Sequence, residues 1–278
     1  MPTFPSYDGT ELAYRVEGSG EPLVVWPGGP ARDAAYLGDL GGLAEAAHRS
    51  IVIPDPRGTG ASPRPADHTA YAASRLADDL EALREHLGLE TLDLLAHSAG
   101  CSVALLHAAR HPARVGRLVL VTPASSAVGL DVTDDEWDAR VRLRAEEPWF
   151  ADAKVALDAN DSTPETRQAM SPFLYGPWTD AARRHAATDG AQRNPEGTRA
   201  FRSELPDVEQ TRRAVGAVTA PVRVLVGELD LMPGPDLGEQ LAALFPDGRC
   251  VVQPGAAHFP WVDDPALFAH LVTEALSD

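Results

Sequence analysis

The sequence has few cysteines, one lysine and no long apolar run. The two cysteines, Cys101 and Cys250, are too few for a disulfide framework and are typical of a protein in a reducing compartment. The only lysine, Lys154, lies in a polar stretch, so Schiff-base chemistry has no good candidate. No segment approaches the roughly 18 apolar residues that span a bilayer, and the amino terminus lacks the features of a signal peptide. We therefore predict a cytoplasmic protein that does not enter a membrane.

Positive charge is also scarce. The chain has 24 Lys and Arg residues against 41 Asp and Glu residues, which gives a formal net charge of −17. The negative electrostatic field of a protein with this charge repels phosphate backbones and anionic membrane surfaces, so nucleic acid is excluded as a partner. The length of 278 residues and the apolar fraction of 44% are typical of one large globular domain with its own core.

Short apolar runs recur along the chain with helical stretches between them. They are apolar throughout rather than alternating, which is typical of strands covered on both faces by helices. The segment before about residue 20 alternates more clearly and predicts an antiparallel edge. The fold class is therefore α/β, with a mostly parallel sheet; the predicted central strands are LVVW at 23–26, SIVI at 50–53, LDLLA at 92–96, RLVLV at 117–121, VRVLV at 222–226 and RCVVQ at 249–253.

The spacing of the strands changes in the middle of the chain. About a hundred residues separate the strands at 117–121 and 222–226, and they are rich in turns and helical patterns. We interpret residues 1–124 and 216–278 as the core domain, and residues 125–215 as a helical cap inserted over the ligand-binding edge of the sheet.

One serine lies where a predicted strand gives way to a helix. Ser98 stands in the sequence Ala96-His97-Ser98-Ala99-Gly100, with small residues two positions away on either side. This is the nucleophile-elbow pattern G-x-S-x-G with alanine at its first position. Small residues are needed there because the sharp turn brings the strand and helix backbones close together.

The partners that such a serine needs follow in the expected order, acid and then histidine. Asp230 follows the strand at 222–226, and His258 follows the strand at 249–253. Both lie just past the carboxyl ends of predicted strands, where ligands collect in open α/β sheets. We predict that Ser98, Asp230 and His258 form a catalytic triad, and that the backbone N–H groups of Gly29 and Ala99 form an oxyanion hole.

At these residues the chain resembles the α/β-hydrolase family along essentially its whole length, and is most similar to the proline iminopeptidase branch. The resemblance implies a helical cap at the place of the insertion. It also implies cap glutamates that bind the free amino group of a peptide substrate, for which Glu204 is the candidate. Two positions depart from the family pattern, Pro27 for the usual loop histidine and Ala96 for glycine; the matching motifs are PGGP (27–30), DPRGTGAS (55–62), AHSAG (96–100), GELD (227–230) and AAHFPW (256–261).

Three functions remain open from the sequence. The first is a serine hydrolase, of esterase or aminopeptidase type, that cleaves a small ester, lactone, amide or amino-terminal peptide bond. The second is non-hydrolytic chemistry in the same pocket, such as cyclisation or acyl transfer, and the third is a non-catalytic ligand-binding protein. We expect a small-molecule or short peptide substrate and no cofactor or metal, while the oligomeric state is undetermined. The predicted pocket residues are Trp26, Trp149, Tyr175, Trp178, Glu204 and Trp261.

Overall fold

An eight-stranded sheet forms the centre of the protein. The structure is a computed structural model that describes residues 1–159, 161, 163–204 and 206–277. Every central strand predicted from the sequence is found, each within two residues of its expected bounds. The strands are β1 (Thr3–Pro5), β2 (Glu11–Gly18), β3 (Glu21–Trp26), β4 (Arg49–Pro54), β5 (Leu92–His97), β6 (Val115–Val121), β7 (Val222–Gly227) and β8 (Gly248–Gln253).

The strand order is β1-β2-β4-β3-β5-β6-β7-β8. Strands β3 to β8 are parallel to one another, whereas β1 and β2 run antiparallel at one edge. The predicted α/β class and antiparallel edge are therefore confirmed. Because the parallel strands all end at the same edge, the loops after β3, β5, β7 and β8 meet there.

Helices cover both faces of the sheet. Val24 and Leu94 point into one core with the helices after β4, β5 and β7, whereas Leu23 and Leu95 point into a second core with the first and last helices. Alternate residues of each strand are thus buried on opposite faces, which explains why these strands are apolar throughout.

Thirteen α-helices are present within the described residues, and short 3₁₀ turns lie between some of them. The helix predicted at 74–87 is found as α2, and Gly88 follows it with a φ of +67°. The helices are α1 (Leu43–Ala46), α2 (Ala73–His86), α3 (Gly100–Arg110), α4 (Asp134–Arg142), α5 (Phe150–Asp158), α6 (Pro164–Met170), α7 (Asp180–Ala187), α8 (Asp189–Gln192), α9 (Pro195–Ala200), α10 (Val208–Val215), α11 (Pro235–Ala242), α12 (Pro260–Asp263) and α13 (Pro265–Ser277).

The chain between β6 and β7 carries α4 to α10, and its described residues include no β-strand. It touches the loop after β3 through a backbone bridge between Arg32 and Arg193. The assignment of residues 125–215 to a cap domain stays a prediction. Among the described residues, none of the helices combines the length and the apolar character needed to cross a bilayer.

Candidate active site

The turn between β5 and α3 holds Ser98 in an unusual conformation. Its φ is +53°, a region that residues with a side chain rarely occupy, and such strain is typical of functional sites. The backbones around it are in close contact. A Cβ atom on Gly100 would lie 2.4 Å from the carbonyl oxygen of Pro27, and one on Gly28 would lie 2.6 Å from that of His97. Glycine is therefore required at both positions for the turn to form.

The structure brings together the three side chains predicted to form the triad. The Oγ atom of Ser98 is 2.9 Å from Nε2 of His258, and Nδ1 of His258 is 2.8 Å from Oδ2 of Asp230. Asp230 is buried, and its other oxygen, Oδ1, accepts a hydrogen bond of 3.1 Å from the Met232 N–H. Loops after β5, β7 and β8 supply one side chain each, as the sheet topology requires.

These contacts fix the direction of the hydrogen bonds when His258 is neutral. A carboxylate can only accept, so Nδ1 of His258 carries the proton and donates it to Asp230. Nε2 is then the acceptor, and the Ser98 hydroxyl donates to it. This arrangement allows His258 to remove the proton from Ser98.

The loop after β3 lies against the serine. The Gly28 N–H donates to the Tyr36 hydroxyl at 2.7 Å and is therefore unavailable to a substrate. Within the described residues, the N–H groups of Gly29 and Ala99 have no protein acceptor, and both residues line the same cavity as Ser98. Their role as oxyanion donors stays a prediction that this arrangement favours over a role for Gly28.

Tyr36 and His97 connect this loop to the histidine loop. The Tyr36 hydroxyl is 2.7 Å from Nδ1 of His97, and Nε2 of His97 is 3.0 Å from the carbonyl oxygen of His258. Burial, followed by the nearby His258 ring, holds the pKa of His97 well below its usual value, so His97 is neutral. Because the carbonyl only accepts, Nε2 of His97 donates to it, and Nδ1 accepts from Tyr36.

No sequence motif pointed to Tyr36, or to a role for His97 beyond its place in the elbow. One feature of the sequence could have indicated that this loop is anchored differently. The resembled family usually has a histidine in the loop, and this chain has Pro27 at that position. Tyr36, nine residues further on, provides an anchor for the neighbouring Gly28 amide.

Several hydrogen bonds fix the position of His258. Its N–H donates to the Leu174 oxygen at 3.1 Å, and its carbonyl accepts from Thr122 Oγ1 at 3.1 Å. The neighbouring Ala257 N–H donates to the Asp263 carboxylate at 2.8 Å. Burial raises the pKa of Asp263 to about 7.

A cavity of about 520 Å³ opens above Ser98. Most of its wall is apolar, and the remainder consists of serine, histidine, arginine and aspartate residues. The apolar residues include Leu130, Val132, Trp137, Met170, Leu174, Tyr175, Met232, Leu237 and Phe259, and the charged residues are Arg32, Asp131, Asp134, Arg167, Asp189, Arg193 and Arg202. Within the described part of the chain, no group of three or more His, Cys, Asp and Glu side chains is arranged to hold a metal ion.

Comparison with known proteins identifies the family. A family model described as "alpha/beta hydrolase fold" matches residues 21–265. The chain belongs to the α/β-hydrolase family. This agrees with the sheet order, with the helices on both faces and with the family expected from the sequence motifs.

Curated relatives of this α/β-hydrolase have several activities. A proline iminopeptidase of Lactobacillus crispatus is 32% identical over 60% of this chain and 57% of that protein. The chain thus spans little more than half the length of the first curated relatives that it matches. A non-heme haloperoxidase of Rhodococcus erythropolis is 29% identical over 93% of each chain.

Solved structures show the same fold. The proline iminopeptidase of Mycobacterium smegmatis superposes with a TM-score of 0.76, at 25% identity, over 99% of this chain and 97% of that one. An esterase of Thermogutta terrifontis superposes with a TM-score of 0.73, at 22% identity, over 99% of this chain and 97% of that one. The family and fold are thus established, whereas the relatives differ in activity.

Of the six predicted pocket residues, only Tyr175 lines the cavity of this α/β-hydrolase. Trp26 and Trp261 are buried in the two cores that flank the sheet, and Trp261 packs edge-on against His97. Trp149 packs edge-on against Phe173, and Trp178 packs against Tyr175; neither tryptophan lines the cavity. Their large apolar surfaces are used to build the core, which is the commoner role of buried aromatic residues.

Glu204 is likewise not among the residues that line the cavity. Its carboxylate accepts a hydrogen bond from Ser74 and contacts Arg75 at 3.4 Å, both on or beside α2. The charged residues that do line the cavity were missed. They lie on separate loops and helices with no local motif, so only the folded chain brings them together.

Proposed function

We propose that this protein is a serine hydrolase that cleaves a small ester, lactone, amide or amino-terminal peptide bond through an acyl-enzyme on Ser98. The observation that carries this proposal is the hydrogen-bonded line from Ser98 through His258 to Asp230 at the floor of a cavity. The strained φ of Ser98 supports it, because that conformation exposes the hydroxyl at the sheet edge.

In the first half of the reaction, Ser98 Oγ attacks the substrate carbonyl carbon while its proton moves to Nε2 of His258. The electron pair of the carbonyl bond moves to oxygen, and the Gly29 and Ala99 N–H groups stabilise the resulting oxyanion. Collapse of the tetrahedral intermediate breaks the bond to the leaving group, which takes the proton from His258. Asp230 holds the His258 ring and stabilises its positive charge throughout.

In the second half, water attacks the acyl carbon and gives one proton to Nε2 of His258. Collapse of this intermediate breaks the bond to Ser98 Oγ, which regains the proton from His258. The products are the free acid and a regenerated serine. Each proton therefore passes through a single nitrogen atom, and no redox partner is required.

The surroundings of the cavity support an ester or lactone over an amino-terminal peptide bond. Glu204, the expected partner of a substrate amino group, is occupied by Ser74 and Arg75. Much of the remaining cavity wall is apolar and suits a carbon chain or ring.

A phosphonylating probe tests the activated serine. We expect a 4-nitrophenyl phosphonate to release one equivalent of 4-nitrophenolate and to leave a single adduct on Ser98, read by intact mass and peptide mapping. In His258→Ala the rate of labelling should fall by about 10³-fold or more, because no base removes the Ser98 proton. Ser102→Ala is the matched control, because Ser102 does not line the cavity and its hydroxyl donates to the Ala124 carbonyl; labelling of this variant should equal that of the wild type.

If the probe does not label Ser98 in folded wild-type protein, the proposal is wrong. Labelling of Ser98 together with transfer of the acyl group to an added alcohol or amine, and no release of acid, would instead favour acyl transfer in the same pocket. Labelling with release of acid from simple esters supports hydrolysis.

The Tyr36 hydroxyl is expected to contribute to catalysis through the loop that it anchors. Tyr36→Phe leaves the Gly28 N–H and His97 Nδ1 without their buried partner, which costs about 1–3 kcal/mol of stability. Because the next residue, Gly29, supplies a proposed oxyanion donor, we expect kcat for 4-nitrophenyl butyrate to fall by about 10-fold, less than the loss of a donor itself. Steady-state kinetics and thermal unfolding measure the two effects.

Tyr14→Phe is the control for this variant, because its hydroxyl makes one long contact of 3.4 Å to His86 on the surface. Wild-type kcat in Tyr36→Phe, with a lowered melting temperature, would show that Tyr36 only stabilises the fold.

A further inference from the structure

Three arginines surround a single carboxylate in the cavity wall. Arg193 Nε is 2.7 Å from Asp189 Oδ2, Arg32 Nη1 is 3.4 Å from Oδ1, and Arg167 Nε is 3.7 Å from Oδ2. All four residues line the cavity that contains Ser98. We call Arg32, Arg167 and Arg193 with Asp189 the arginine cluster.

Arg32 and Arg193 share the one carboxylate of Asp189, so this pair of arginines carries one more positive charge than negative charge in a partly buried place. The side chain of Arg32 is 3% exposed, and its other partners, Gln192 and Thr188, are neutral. Burial lowers the pKa of Arg32, because one shared carboxylate does not replace the water that it lost. A buried charge that shares its counterion with a second cation is incompletely compensated, so an anion that enters here is favoured.

Arg193 lines the cavity, and one of its guanidinium nitrogens has no protein acceptor among the described residues. Its Nε donates to Asp189 and its Nη1 donates to the Gly29 carbonyl at 2.8 Å. Among the contacts of the described residues, Nη2 has no hydrogen-bond acceptor, and the side chain is 21% exposed. The guanidinium is held in place from the backbone, because Asn194 N–H donates to Ala31 O at 2.9 Å.

The contact with Gly29 places Arg193 close to the reacting atoms. Because the atoms of one residue span about 4 Å, its guanidinium lies within about 7 Å of the Gly29 N–H, the proposed oxyanion donor. A substrate that bonds both groups has its carboxylate separated from the attacked carbonyl by about two to four methylene groups.

We propose that the arginine cluster binds a carboxylate of the substrate, and that the physiological substrate is a half-ester of a short dicarboxylic acid or a lactone that carries a carboxylate. This inference rests on the proposed hydrolase function for its reaction, but the anion site itself does not. Arg193 is the principal contact, because a planar guanidinium already fixed at two nitrogens loses little freedom when it binds.

A substrate with a positively charged amine would need an acidic partner instead of an arginine, and two acids of the cavity could bind it. Asp131 and Asp134 are exposed to solvent, where water and salt screen their field. The arginine cluster is largely shielded from water, so its charge acts on a bound group with less screening. The more buried charge therefore determines which substrates are preferred.

The test compares two esters of matched size, 4-nitrophenyl hemisuccinate and 4-nitrophenyl butyrate. We expect kcat/KM to be about ten-fold or more higher for the hemisuccinate, in line with one charge-assisted hydrogen bond. In Arg193→Gln this ratio should fall to about one, mostly through KM, and Arg193→Lys should retain part of it. A shift of the Gly29 loop would slow the hydrolysis of both esters equally. The ratio of the two kcat/KM values within each variant is therefore independent of such a shift. Arg213→Gln, an exposed arginine on α10, should keep the wild-type ratio.

Binding of succinate separates this inference from the hydrolase proposal. Succinate should bind wild-type protein by calorimetry, and Arg193→Gln should weaken that binding by about ten-fold, even if no ester is cleaved. A wild-type ratio of one or less would overturn the inference while leaving the serine hydrolase intact. Turnover of proline 4-nitroanilide that exceeds that of the hemisuccinate and is lost in Asp131→Asn would overturn it in favour of an amine site.

Discussion

Replacing Ser98 with alanine is expected to lower kcat/KM for 4-nitrophenyl esters by at least about 10⁴-fold. The substitution removes the hydroxyl that is proposed to form the acyl-enzyme and that hydrogen-bonds Nε2 of His258. What remains, the Gly29 and Ala99 amides and the cavity, can still stabilise attack by water, so a small residual rate is expected. Steady-state hydrolysis of 4-nitrophenyl butyrate measures the effect.

The fold should be unaffected by this substitution. Alanine keeps the Cβ atom, so the cost of the positive φ at position 98 is the same as for serine, and the melting temperature is expected to stay within a few degrees of the wild-type value. Ser102→Ala is the control, because Ser102 does not line the cavity, and its rate of ester hydrolysis should equal that of the wild type. Ester hydrolysis in Ser98→Ala above a tenth of the wild-type rate would contradict the proposed nucleophile.

The strands could be predicted from the sequence because their burial on both faces leaves a simple signal. Leu94 and Leu95 point to opposite sides of the sheet, and both must be apolar. The predicted triad residues followed from the same fact. Once the ends of β5, β7 and β8 are known, Ser98, Asp230 and His258 are the residues with suitable chemistry that lie just beyond them.

The cavity wall could not be predicted in this way. Trp26 and Tyr175 are both buried aromatic residues in the cores, yet of the two only Tyr175 also lines the cavity. Whether an aromatic ring faces a core or a cavity depends on how the helices between β6 and β7 pack, which no local pattern encodes. Arg32 and Arg193 are 161 positions apart and are joined by a single backbone bridge, so their contact could not be predicted from a local sequence pattern either.

Replacing Asp230 with asparagine is expected to lower kcat/KM for ester hydrolysis by about 10⁴-fold while preserving the shape of the site. The reason is the Met232 N–H, which donates to Oδ1 of Asp230 at 3.1 Å. In asparagine only the amide oxygen can accept that bond, so the NH₂ group faces Nδ1 of His258, 2.8 Å away in the wild type. If the amide were turned the other way, its NH₂ group would face the Met232 N–H, and two hydrogen-bond donors would oppose each other.

This reversal changes which nitrogen of His258 carries the proton. With an NH₂ donor facing it, Nδ1 becomes an acceptor and neutral His258 is protonated at Nε2, the atom that must take the proton from Ser98. Labelling by the phosphonate probe should therefore fall together with hydrolysis, whereas the melting temperature changes little. Asp236→Asn, an exposed residue on α11, makes the same change of charge outside the site and should keep wild-type activity. Asp230→Asn that retains more than a tenth of the wild-type kcat/KM would show that Asp230 does not set the tautomer of His258, and the acid of the triad would have to be sought elsewhere.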